Sequence, residues 1–170
     1  RCDGAVNPLG GSPAPLLTWQ LSSTVRGEQP MAWQVRVATS EKILASDATD
    51  LWDSGKVGVG NEVMEETLTS RLDKIPGLRY AGQALKAGTR THWQVRWWNA
   101  KDQVSPWSQI ATWEVAPSSV ADWQGARWMD DGKPIPTQDE DFYKPDPAPL
   151  MRHEFTVSKP IAKARLHFAG

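Results

Sequence analysis

Histidines, clustered acids and a lone thiol are the obvious places to look for chemistry in this sequence. The three histidines, His92, His153 and His167, show no metal-ligand spacing with one another, with Cys2 or with a carboxylate. Each is expected to be a polar strand-face or chain-end residue. Asp139, Glu140 and Asp141, with Asp130, Asp131 and Asp146 nearby, supply carboxylates for a calcium ion or a hydrolytic pair. Calcium, however, needs oxygens converging around a glycine-enforced turn. Hydrolytic carboxylates need a fixed separation on rigid elements. The surrounding stretch, DDGKPIPTQDEDFYKPDPAPL, is acidic and rich in proline, so a solvated loop is expected there. No G-x-S-x-G elbow and no strand–glycine–helix phosphate loop is present. Cys2 has no histidine near it in sequence, so an inert thiol near a frayed terminus is expected. As the single cysteine it cannot form an internal disulfide.

The stronger signal is aromatic residues interleaved with cations. The chain carries 10 tryptophans against 2 tyrosines and 3 phenylalanines. In the run Thr91–Asn99, Trp93, Val95 and Trp97 alternate with Gln94, Arg96 and Trp98. Trp107 follows in an SPWS turn (Ser105–Ser108). Arg96 is therefore placed to lie over Trp98 or Trp107 as a cation–π stack. Two readings follow. One is a structural ladder. The other is a carbohydrate-binding platform made of Trp98 and Trp107, with Arg96 and nearby glutamines as donors.

The elements that must carry these residues read as short strands. Period-two alternation of large side chains marks strands buried on one face. Such runs occur at Leu16–Leu21, Ala32–Thr39, Leu51–Val57, Arg79–Leu85, Thr91–Asn99 and Gln109–Val115, separated by turn-rich stretches such as Arg26–Pro30. Gln34 and Arg36 share the polar face of the second run. About seven strands at this spacing predict an all-β, immunoglobulin- or fibronectin type III-like antiparallel sandwich over residues 1–117. Asn61–Ile75 breaks the rhythm: Met64, Leu68, Leu72 and Ile75 fall on one helical face, which predicts a short helical insertion. Residues 118–170 begin with a linker and the proline-rich loop. Met151–Val157 and Ala162–Ala169 then alternate like the opening strands of a second β module that is truncated here.

Charge narrows the functional classes. Lys plus Arg is 19 and Asp plus Glu is 20, a net charge of −1. That balance offers no electrostatic reason to bind nucleic acid or an anionic membrane. No apolar run approaches a membrane span, and the first residues hold no hydrophobic signal segment. Because the chain starts at Arg1, a processed form or a piece of something longer is expected. No cofactor is implied.

Several of these pieces recur in a known order. NPLG (Asn7–Gly10), the P-x-L-x-W of Pro15 to Trp19, RGEQPMAWQVRVA (Arg26–Ala38), LWDSGKV (Leu51–Val57), YAGQAL (Tyr80–Leu85), GTRTHWQVRWWN (Gly88–Asn99), SPWS and ADWQGARW (Ala121–Trp128) resemble the N-terminal region of bacterial α-L-rhamnosidases. MRHEFTVSKPIAKARLHFAG resembles the start of the β domain that follows there. The resemblance implies a parent that is an inverting glycoside hydrolase removing terminal α-L-rhamnose, with its catalytic residues on a downstream domain. No catalytic residue is therefore carried onto this chain. The implied role is a non-catalytic accessory and scaffolding region, partnered by downstream domains of the same enzyme and possibly by a glycan. From the substrate class, a secreted or periplasmic setting is expected, with a cytoplasmic one as the alternative. The insertion at 61–77 and the long loop before Met151 depart from the family pattern.

Overall fold

The computed structural model describes residues 1–59, 77–129, 132–145 and 147–167. It divides into two units, Arg1–Asp122 and Trp123–Gly170. The helix expected at Asn61–Ile75 lies outside the described residues, as do Asp130, Asp131 and Asp146.

The first unit is organised by one long antiparallel pair, β2 (Pro30–Ala38) and β6 (Arg90–Asn99). Their register sets Trp33 opposite Trp97, Val35 opposite Val95 and Val37 opposite Trp93. These apolar pairs share one face, as the period of two requires. Gln34 opposite Arg96, and Arg36 opposite Gln94, occupy the other face. Numbering the remaining strands in chain order, β3 (Trp52–Asp53) and β4 (Val57–Gly58) pair with the free side of β2, and β7 (Ala111–Glu114) pairs with β6. A second, two-stranded sheet joins β1 (Leu16–Thr18) to β5 (Gly77–Arg79), with Leu17 opposite Leu78. The core lies between the sheets and contains Leu17, Trp19, Trp33, Val35, Val37, Leu78, Tyr80, Trp93, Val95 and Trp113. Burying each of these large side chains contributes about 1.5–3 kcal/mol. Trp19 meets Trp33 edge-on, and Tyr80 meets both Trp52 and Trp113 in the same way.

The local departures from simple alternation have identifiable causes. The run Leu51–Val57 is not one strand. Ser54 and Gly55 interrupt it, with Gly55 at φ 63°, and β3 and β4 result. The strand expected at Arg79–Leu85 is instead Gly77–Arg79, because the chain turns at Tyr80–Gln83. There Tyr80 Oη donates to the Gln83 carbonyl (2.7 Å), and Gln83 N donates to the Leu51 carbonyl (3.1 Å). A five-residue helix, α1 (Glu41–Ala45), was not foreseen. Ser40 caps it and Leu44 is its buried residue. Five residues are too few to show a helical period. Nor is the terminus frayed: Cys2 is buried and bridges Leu17.

In the second unit, the strands expected at Met151–Val157 and Ala162–Ala169 do not form through His167. Their side chains alternate, but Phe155 and Leu166 stand 79% and 91% exposed. A strand is held by its neighbours in a sheet, and two such segments alone do not stabilise each other. The proline-rich loop does contain one short 3-10 turn, Asp139–Tyr143.

Candidate functional site

The outer face of the β2–β6 pair gathers the predicted residues. Arg96 Cζ lies 5.1 Å from the Trp98 ring centroid and 4.4 Å from that of Trp107. Arg36 Cζ lies 4.9 Å from Trp107, and Lys56 Nζ lies 5.0 Å from Trp98. The result is a ladder in the order Lys56, Trp98, Arg96, Trp107, Arg36. Each ring has two cations near it, and both rings are half-buried.

Local backbone chemistry explains how Trp107 reaches this face. Ser105 N donates to the Trp97 carbonyl (2.9 Å), while Ser105 Oγ accepts from Trp97 N (3.1 Å). Ser108 treats Val95 in the same way, at 2.8 and 3.1 Å. Two serines thus satisfy both backbone groups of two β6 residues, without a regular strand between them. The extra residue lets the Pro106-Trp107 segment arch over the sheet. Ser54 repeats the device on the opposite edge: its N donates to the Val35 carbonyl (3.0 Å) and its Oγ accepts from Val35 N (2.9 Å).

A relay of hydrogen bonds fixes the cations. Arg96 Nε donates to Gln34 Oε1 (2.9 Å), and Gln34 Nε2 donates to Asp53 Oδ1 (2.6 Å). Arg36 Nε donates to Asp53 Oδ2 (3.0 Å), and its Nη1 reaches both the carbonyl (2.9 Å) and the carboxylate of Asp47. Lys56 pairs with Asp102. Asp47 and Asp102 both adopt φ 58°, a left-handed backbone that aspartate tolerates better than most residues. Three cations therefore face three carboxylates, and the site is close to neutral. Burial alone would raise the Asp53 carboxyl. Hydrogen bonds from Gln34, the Gly55 N–H and Arg36 outweigh burial and hold it below its ordinary value.

Sequence reasoning placed Trp98, Trp107 and Arg96 together, and the structure brings all three into contact. It assigned Arg36 to the right face without connecting it to Trp107, and it missed Lys56 and the three aspartates. The available signal was the period of two: Arg36 sits diagonally across β2–β6 from Arg96. Chemically, the ring faces on which a pyranose would stack already have the protein's own cations beside them. Arg96 commits only its Nε to the relay, so its Nη groups stand outside it.

The other candidates lie apart from this ladder. His92 pairs with Ala38 at the far end of the sheet. Burial lowers its pKa, partly opposed by Glu41. His153 stacks on Phe155 and His167 meets Trp123 edge-on. Asp141 pairs with Lys144 in the exposed loop. Among the described residues, no group of three or more His, Cys, Asp or Glu side chains converges as a metal site, and no helix is long and apolar enough to cross a membrane.

Comparison with known proteins places this arrangement. A family model described as the Rha78A-like, N-terminal immunoglobulin domain matches residues 1–119. An α-L-rhamnosidase of Formosa agariphila is 30% identical across 99% of this chain, which corresponds to 17% of that protein. An α-L-rhamnosidase of Streptomyces avermitilis is 36% identical across 75% of the chain and 11% of its own length. Among solved structures, an α-L-rhamnosidase from Dictyoglumus thermophilum superimposes with a TM-score of 0.60 at 30% identity, over 73% of this chain and 13% of that one. The Streptomyces avermitilis α-L-rhamnosidase complexed with L-rhamnose gives a TM-score of 0.58 at 34% identity, over 72% of this chain and 10% of that one. The chain thus spans less than a fifth of the length of each of these relatives.

Proposed function

The chain belongs to the family of Rha78A-like N-terminal immunoglobulin domains, and we propose that it is a non-catalytic accessory and scaffolding region of an α-L-rhamnosidase-type glycoside hydrolase. The parent would remove terminal α-L-rhamnose with inversion, on a domain downstream. The observation that carries this reading is the exposed apolar surface of the second unit. Trp128, Met129, Phe142, Tyr143, Leu150 and Phe155 are all exposed within a stretch of fewer than thirty residues. So many large apolar side chains exposed along one short stretch are what a surface covered by a neighbouring segment would show. The occupant we assign is the remainder of the same polypeptide. The match to the Formosa agariphila relative runs past the sandwich through the second unit, and that relative is several times longer. In this reading Met151–Val157 and the segment after it become strands when downstream strands pair with them. The substrate class suits a secreted or periplasmic protein.

The test compares the parent enzyme with and without residues 1–119. Scaffolding predicts a lower Tm and faster inactivation on deletion, with kcat per folded molecule largely kept. Equal Tm for the two forms would refute it. A second reading is that Trp98, Trp107 and Arg96 bind a glycan. The half-exposure of both rings and the unused N–H groups of Arg96 favour it. Saturable quenching of tryptophan fluorescence by rhamnose or plant oligosaccharides, lost in Trp107→Ala, would support it over a purely structural ladder.

A further inference from the structure

We propose that residues 1–11 form a strap that lifts from the sandwich as a unit while both sheets stay folded, opening the edges of β1 and β7. The strap crosses from one sheet to the other. Its first part seals β1: Asp3 N donates to the Leu16 carbonyl (2.9 Å), Thr18 N donates to the Arg1 carbonyl (2.9 Å), and Asp3 Oδ1 accepts from Leu16 N (2.8 Å). Its second part seals β7: Glu114 N donates to the Pro8 carbonyl (2.9 Å), Gly11 N to the Glu114 carbonyl (2.8 Å), and Ala116 N to the Gly11 carbonyl (2.9 Å). Asn7 Oδ1 accepts from Thr112 N (2.9 Å). Without these bonds both strands would present unpaired backbone to any extended segment.

Three observations make the strap separable. Cys2 is its only buried residue, whereas Val6 and Leu9 are 68% and 56% exposed. Lifting it therefore withdraws one small side chain from a core otherwise built of tryptophans, valines, leucines and Tyr80. Its hold is mainly backbone hydrogen bonds and not apolar packing, and few buried apolar contacts are a mark of segments that open locally. Finally, Asp3 (φ 45°) and Asn7 (φ 46°) place left-handed turns within the strap, a backbone that Asp and Asn tolerate, so the strap is a series of turns and not a strand continuous with either sheet. The proposal does not depend on the scaffolding role.

Cys2 makes the opening measurable, because it is the chain's single cysteine and its burial hides it while the strap is closed. The experiment follows maleimide labelling of Cys2 in this chain by mass, across a urea series below the global transition. The expected result is labelling whose urea dependence is at most about a third of that of global unfolding, since little surface is exposed. Asn7→Ala, which removes one strap bond and puts alanine in a left-handed backbone, should speed labelling at least about fivefold. Gly82→Ala, which crowds the turn against Leu51 and Trp52 away from the strap, should lower the urea midpoint and leave labelling in the absence of urea unchanged. Labelling with the full urea dependence of unfolding, or labelling accelerated by Gly82→Ala in step with lost stability, would overturn the proposal.

Discussion

Replacing Arg96 by alanine tests whether the ladder supports the sandwich. Arg96 touches two rings, at 5.1 and 4.4 Å, each contact being worth about 0.5–1 kcal/mol where solvent has access. Its Nε–H bond to Gln34 involves a charged donor and contributes about 1.5–3 kcal/mol at most. Gln34 is 7% exposed, so its Oε1 would lose its partner in a site that water reaches poorly. These effects share atoms and are not additive, so the expected loss is about 3 kcal/mol. For a chain of this size that is about 6–12 °C in Tm. Arg96→Lys keeps the charge but loses the planar stack and the Nε donor, and should recover less than half of the loss. The assay is thermal unfolding followed by circular dichroism, with a double-mutant cycle adding Trp107→Ala. A coupling energy of about 0.5–1 kcal/mol is expected between the two positions. A Tm for Arg96→Ala within about 1 °C of the unmodified chain would refute a structural ladder.

Other perturbations bear on the same framework. A Cβ at Gly82 would sit 2.5 Å from both the Leu51 carbonyl oxygen and Trp52 Cβ. Neither can swing away, so Gly82→Ala should cost about 1–3 kcal/mol in urea unfolding. Tyr80→Phe removes the bond to the Gln83 carbonyl and should cost about 1 kcal/mol with the aromatic packing kept. Burial lowers the His92 pKa in the fold. As pH falls through the ordinary histidine range, near about 6.5, the unfolded chain takes up the proton first and stability falls. His92→Gln should flatten that part of the pH–stability curve. The Asp53 carboxyl is held below its ordinary value. Its contribution is therefore present at neutral pH and is lost as pH falls below about 4; Asp53→Asn should remove that acid limb.

The sandwich was legible because Trp33, Val35 and Val37 of β2 and Trp93, Val95 and Trp97 of β6 alternate with polar residues and pair across the sheet, which marks the inward face. The ladder was partly legible for the same reason: alternation on one strand puts Arg96 and Trp98 on one face. Its anchors were not. Asp47 and Asp102 come from loops with a left-handed backbone, and Lys56 follows the Ser54-Gly55 break. None of the three follows a strand period. Helix α1 is too short to carry a signal beyond its Ser40 cap. The two strands expected after Leu150 have the right pattern, but among the described residues no strand pairs with them. Pattern alone fixes which face of a strand is apolar; pairing decides whether the strand forms.

The central claim is that this chain supports an enzyme without carrying out its reaction, and hydrolysis of an aryl α-L-rhamnoside by the isolated chain tests it most directly. No turnover above the buffer rate, with the sandwich verified as folded, is the predicted result. Turnover that scales with chain concentration and persists through purification would contradict the claim and place a catalytic site within these residues.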